Sequence, residues 1–148
     1  MYNQFVCDAE ITDETKANFV NVKGVTFGNG ITQSQEKARS GKYSSKLTQD
    51  MQYGFTSYIS EVGTGDQYII SVWKYANQSD AGLVVTTTDT KILYHFQKEP
   101  VAKEGEWEKI EIKINVQDNL HRKDLKIYCW NNDKNMPAYF DDLLITGP

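Results

Sequence analysis

Cysteine, proline and histidine are scarce in this sequence, and each scarcity removes a class of protein. Two cysteines in 148 residues, Cys7 and Cys129, cannot make the dense disulfide framework of a small secreted scaffold. Both sit in segments that read as strands, where such a pair is one disulfide or two buried thiols. The two histidines, His95 and His121, have no paired spacing with other nitrogen or sulfur ligands, so a catalytic or transition metal lacks a ligand set. Three prolines, no Ser-rich stretch and no internal repeat leave nowhere for a linker to begin. Residues 1–148 therefore read as one domain, long enough to bury a core.

Other absences concern partners and chemistry. No apolar run approaches the roughly 20 residues that span a bilayer, which argues against a membrane partner. The formal charge is −4, and the one sizeable basic cluster, from Lys123 to Lys126, is interrupted by Asp124 and Leu125. Nucleic acid binding rests on counterion release by a concentrated basic face, and none is seen. There is no Gly-x-Ser-x-Gly elbow, neither cysteine has a local histidine, and Gly28-Asn29-Gly30 matches neither a P-loop nor a dinucleotide fingerprint. Twenty acidic residues guarantee that some carboxylate pair can be drawn for glycoside hydrolysis, so their abundance marks no site. Glu104, Glu106, Glu108 and Glu111 near Trp107 read as a solvated strand face. The expectation is a chain without catalytic apparatus.

What the chain does hold is aromatic and β-branched: nine Tyr, six Phe and three Trp accompany many Thr, Ile and Val, a strand-forming composition. Ile110, Ile112, Ile114 and Val116 alternate with Lys109, Glu111, Lys113 and Asn115, the pattern of a strand with one buried and one wet face. Tyr68, Ile70 and Val72 alternate with Ile69, Ser71 and Trp73, and Leu125, Ile127 and Cys129 with Lys126, Tyr128 and Trp130. Further strands are expected over residues 4–10, 31–38, 43–48, 53–62, 83–88, 92–97 and 138–146, each bounded by turn formers. The single helical candidate, residues 12–19, is short and lacks an apolar face. About ten short strands imply an all-β fold, a two-sheet antiparallel β-sandwich or jelly roll.

The order of local patterns adds to this: an acidic first strand ending in Asp8 and Glu10, then Ala38-Arg39-Ser40-Gly41-Lys42-Tyr43, then Gly65-Asp66-Gln67-Tyr68, then Gly105-Glu106-Trp107, and finally Tyr139-Phe140-Asp141-Asp142-Leu143-Leu144-Ile145. The series, over almost the whole chain, resembles the β-jelly-roll carbohydrate-binding modules attached to bacterial xylanases and cellulases, within the galactose-binding-domain-like fold. The resemblance implies a secreted or cell-surface bacterial domain of a larger multidomain, polysaccharide-active enzyme. It also implies a structural calcium ion held by Asp8 or Glu10, by backbone near Ser40 and Lys42, and by Asp141, with Asp142 a weaker choice. The two-residue period puts Asp141 on one face with Leu143 and Ile145, and a buried carboxylate needs a partner. Oxygen ligands from distant segments suit calcium, which takes six to eight of them. The plainer alternative pairs Asp141 with Lys42 or Arg39.

For the ligand, the aromatic residues opposite the aliphatic ones are the candidates: Trp73, Tyr75, Tyr128 and Trp130 are expected on one exposed face opposite Ile70, Val72, Ile127 and Cys129. Tyr94 and Phe96 join them, or His95 in the other register, with Asn132 among the polar groups at the strand ends that can take hydroxyls. Flat rings with a polar handle suit the C–H faces of sugars, so the expected ligand is an internal stretch of a β-linked plant or algal polysaccharide. Trp107 is assigned to structure, and Tyr43, Tyr53 and Phe140 to the core. A structural or adhesive jelly roll binding a protein, and a small polysaccharide lyase or esterase, are the alternatives.

Overall fold

The computed structural model describes residues 3–148. Along them run β1 (Asn3–Cys7), β2 (Asn18–Val20), β3 (Thr26–Gly28), β4 (Gln33–Ser34), β5 (Ser44–Leu47), β6 (Tyr53–Ile59), β7 (Gln67–Tyr75), β8 (Gly82–Thr86), β9 (Tyr94–Gln97), β10 (Ala102–Glu104), β11 (Trp107–Asn115), β12 (Leu125–Trp130) and β13 (Ala138–Gly147). The helical content of the described residues is two 3-10 turns, Gly30–Thr32 and Asp118–Leu120.

The strands form two antiparallel sheets. One has the order β10-β11-β7-β13-β5-β4, with β1 also paired to β13; the other runs β2-β3-β6-β12-β8-β9. From β5 to β8, and again from β11 to β13, each successive strand changes sheet. The chain thus crosses the sandwich repeatedly, as a jelly roll does.

Alternation decides which side of each strand turns inward. On β11, Ile110, Ile112 and Ile114 face the core and lie opposite Val72, Ile70 and Tyr68 of β7. The second sheet answers with Leu125, Ile127 and Cys129 of β12, Leu83 and Val85 of β8, and a packed Phe19–Phe55 pair. Each fully buried Leu, Ile or Phe contributes about 1.5–3 kcal/mol relative to an exposed one. Cys7 and Cys129 are free and buried in this core, and burial pushes the Cys7 thiol up to about 12, so it packs as a small apolar group.

Three elements differ from the pattern reading. Residues 31–38 were expected as one strand, but only Gln33–Ser34 pair, before the chain leaves for a long loop. Residues 12–19, where a helix had little support and none forms, hold strand pairing that the pattern did not show: Thr12 bridges Phe19, and Asn18–Val20 is β2. With the three-residue strands β2, β3 and β10, too short for a period to show, the count becomes thirteen rather than about ten.

Candidate functional site

The expectation of one shared aromatic face is corrected by the sheet topology. Trp73 and Tyr75 belong to β7 in the first sheet, Tyr128 and Trp130 to β12 in the second. Because the aliphatic residues of both strands point into the same core, the aromatics point away from each other, onto opposite outer faces of the sandwich. Identical alternation along two strands cannot tell which sheet each joins.

On the first sheet the rings are covered. The Arg39 guanidinium lies over Trp73, its Cζ 3.9 Å from the ring centroid, and is held there by Asp142 at 3.0 Å and Glu104 at 2.8 Å. Tyr75 is flanked edge-on by Trp107 and Tyr139, with the Lys37 ammonium 4.7 Å from its ring. Trp107 is structural, as expected. The segment of residues 36–43 thus closes this face, and a sugar would have to displace it.

The second sheet's outer face is open. Register puts Asn18, Gly28, Thr56, Tyr128, Val84 and Phe96 in one row across five neighbouring strand pairs, and Tyr58, Lys126, Thr86 and Tyr94 in the next. The rings here reach solvent: Tyr53 is 51% exposed, Tyr58 61% and Tyr94 46%. Tyr53 meets Tyr128 edge-on at 5.7 Å, and Phe96 meets Trp130 likewise at 5.7 Å. Burial, then Tyr94 and Tyr53, push the Tyr128 hydroxyl up to about 12, so it stays a neutral donor. Along β2, β3, β6 and β12 the face sinks into an open groove of about 860 Å³, lined by Asn18, Asn29, Tyr53, Thr56, Tyr58, Lys126 and Tyr128 among others. Gly28, without a side chain, leaves its floor low; Gly82 is required beside Phe96, since a Cβ there would clash with the Gln97 carbonyl oxygen.

Among the expected contacts, Tyr94, Tyr128 and Trp130 therefore come together on the second sheet, while Trp73 and Tyr75 do not join them. Asn132 is exposed just beyond β12, whereas its neighbour Asn131 is buried, donating to the Leu47 and Met136 carbonyls. Tyr53 corrects its assignment to the core, and Tyr58 was missed. Phe55 is fully buried and Ile59 packs against the core, and by period Tyr53 should face inward too. A register shift between β6 and β12, where Trp130 lies opposite Tyr53, turns it out. Tyr58 could have been found from the opposite phase to Phe55 and Ile59. Tyr43 is partly buried against the core, and Phe140 is fully buried.

The residues expected around calcium lie at the far side, and one premise is corrected. A bulge in β13, with Asp142 at φ 53°, places Asp141 opposite Trp73 on the outer side, while Leu143 and Ile145 face the core. Asp141 is nonetheless fully buried, beneath the loop: its Oδ2 accepts from the backbone N–H of Arg39 (2.8 Å) and Ser40 (3.1 Å), its Oδ1 from that of Asp142 (2.8 Å). Burial and then the charge of Asp142 push its carboxyl up to about 7, against the lowering effect of those three amides. Glu10 likewise accepts from the N–H of Lys42 (2.8 Å) and Tyr43 (3.0 Å), Asp8 from the N–H of Glu10, and the Ser40 hydroxyl donates to Asp142. Arg39 pairs with Asp142 rather than with Asp141. A calcium ion needs converging oxygens, but Glu10 and Asp141 here face N–H donors. Among the described residues no three His, Cys, Asp or Glu side chains gather. As arranged, these residues do not fit the ion.

No protein-family model matches the sequence, and no curated protein matches it. Solved structures do match. A CBM22-2 xylan-binding domain of Xyn10C from Paenibacillus barcinonensis aligns over 97% of this chain and 99% of its own, with a TM-score of 0.58 and 17% identity. The CBM22-1–GH10 modules of xylanase 10B from Clostridium thermocellum, complexed with xylohexaose, align over 79% of this chain with a TM-score of 0.53 and 16% identity. There the match spans 24% of that polypeptide's length. A cyclase from Fischerella sp. TAU aligns over 99% of this chain and 88% of its own, with a TM-score of 0.52 and 12% identity. At such identities the likeness is one of fold: the chain is a β-jelly roll of the type seen in carbohydrate-binding modules. Because a cyclase shares that fold, what the chain does has to be argued from its own site.

Proposed function

We propose that this chain is a carbohydrate-binding module that holds an internal stretch of a β-linked polysaccharide along the outer face of its second sheet. In that reading it serves a larger polysaccharide-active protein, secreted or at a bacterial cell surface, by concentrating it on its substrate. The observation that carries it is the set of tyrosines Tyr53, Tyr58 and Tyr128 lining an open groove on one sheet face, with exposed Tyr94 on the same face beyond it. Sugars bury C–H patches against such rings, and the amides and hydroxyls of Asn18, Asn29 and Thr56 rim the same groove. The lining offers no carboxylate, so the groove lacks the acid pair that glycoside hydrolysis uses. Similarity in fold to xylan-binding modules supports the class of ligand and makes xylan the first polymer to try.

The test is affinity electrophoresis or calorimetry on a panel of soluble xylans, β-glucans and algal polysaccharides. Tyr58→Ala and Tyr128→Ala should each weaken binding about two- to tenfold, the range for loss of one aromatic contact. Unchanged affinity in both, with unfolding midpoints maintained, would remove the groove as the site.

A further inference from the structure

The groove is electrostatically unlike the rest of the chain. Acidic residues outnumber basic ones, 20 to 16, yet the groove lining contains no Asp or Glu and a single charged group, Lys126. The phase of β12 sends Lys126 outward between Tyr58 on β6 and Thr86 on β8, in the middle of the sheet. Its Nζ lies 5.3 Å from the Tyr128 ring centroid and 5.9 Å from that of Tyr58, within reach of both rings' negative faces. The ammonium is in no ion pair among the described residues; the four pairs there involve Arg39, Lys46 and Lys98.

A neutral chain laid over Tyr58 and Tyr128 would strip water from this ammonium and return only hydroxyl contacts. A carboxylate on the chain would replace that water with a charge-assisted hydrogen bond and neutralise the one charge in the groove. We infer that the ligand is an acidic polysaccharide, one bearing uronic acid residues, and that Lys126 receives the uronate carboxylate while the tyrosines take the sugar faces. The inference rests on the proposed binding groove and narrows its ligand.

The experiment uses glucuronoxylan in two forms, native and carboxyl-reduced to the neutral polymer, with a sulfated galactan as a third probe, against the parent chain, Lys126→Gln and Lys126→Arg. Lys126 is exposed, and unchanged unfolding midpoints confirm that the variants fold. The parent should bind the native polymer more tightly than the reduced one by about three- to tenfold, as expected for one charge-assisted contact at a partly wet site. Lys126→Gln should lose that preference, Lys126→Arg should keep it, and added salt should narrow it. Equal binding of native and reduced polymer by the parent overturns the inference while leaving the groove as a neutral-glycan site. Loss of affinity in Lys126→Gln for both polymers alike overturns it too, because the lysine would then serve the backbone sugars. Preference for the sulfated galactan over glucuronoxylan, sensitive to Lys126, would assign the anion to sulfate and refute the uronate. Binding of none of the three polymers would remove both this inference and the site on which it stands.

Discussion

Two aromatic residues with the same place in the alternating pattern have opposite fates, and what lies on their outer side decides it. Trp73 carries Arg39 on its ring, whereas Tyr58 is exposed, with only the Lys126 ammonium near its ring. The first ring contributes to stability and the second is free for a ligand. Asp141 is the other residue whose neighbours set its chemistry. Its carboxyl, ordinarily near 3.8, is raised to about 7 in the folded chain by burial and by Asp142. Folding therefore favours the protonated form: this contribution to stability is complete below about pH 4 and is lost as pH rises through about 7. Asp141→Asn removes the titration while keeping one oxygen for the loop amides. Unfolding midpoints measured from pH 4 to pH 8 should show the parent falling relative to the variant as pH rises. A difference independent of pH would mean that the three amides hold the carboxylate charged throughout.

At the scale of the strand and loop, two irregularities do most to place the side chains. The bulge at Asp142 moves Asp141 from the core phase to the outer one, and the register shift between β6 and β12 moves Tyr53 in the same direction. One extra residue exchanges the faces of everything beyond it. The loop of residues 39–43 covers Asp141 and binds Glu10 through its amides, and Gly41 allows that approach: its φ is 59°, and a Cβ would clash with the Glu10 carboxylate. Gly41→Ala should cost at least about 1–2 kcal/mol for the left-handed backbone alone, read as a lower urea midpoint with unchanged slope. The same loop decides between two readings of the acids. If the amides hold them, the unfolding midpoint is the same with excess calcium as after exhaustive chelation. The calcium site implied by the resemblance requires the opposite, a midpoint raised by the ion through mass action on the native state.

Over the whole molecule, the sandwich separates a closed face from an open one by the thickness of its core. Substitutions on the two faces should then act on different observables. Trp73→Ala should lower stability by about 1–3 kcal/mol through the lost arginine stacking and packing and leave polysaccharide affinity unchanged. Tyr58→Ala should do the reverse, and the double variant should show both effects added, since distant sites without shared partners are independent. Thermal unfolding and affinity electrophoresis on the three variants check this; a binding defect in Trp73→Ala would return the ligand to the first sheet. The sequence alone determined the fold class, because alternation on β7, β11 and β12 marks which side of each strand is buried and leaves no room for a helix. It likewise marked Tyr128 and Trp130 as outward-facing, since their phase is opposite to that of buried neighbours, and left Tyr94 and His95 as alternatives, because β9 has no buried residue to set its phase. Only the tertiary structure decided which sheet each strand joined, that Arg39 and Lys37 close one aromatic face, and that Tyr53 belongs to the other. Strand period is a local property with two outcomes per residue. Sheet membership, bulges and loop cover depend on residues far apart in the chain, such as Arg39 and Asp141 at a separation of 102 residues, and no local pattern records them.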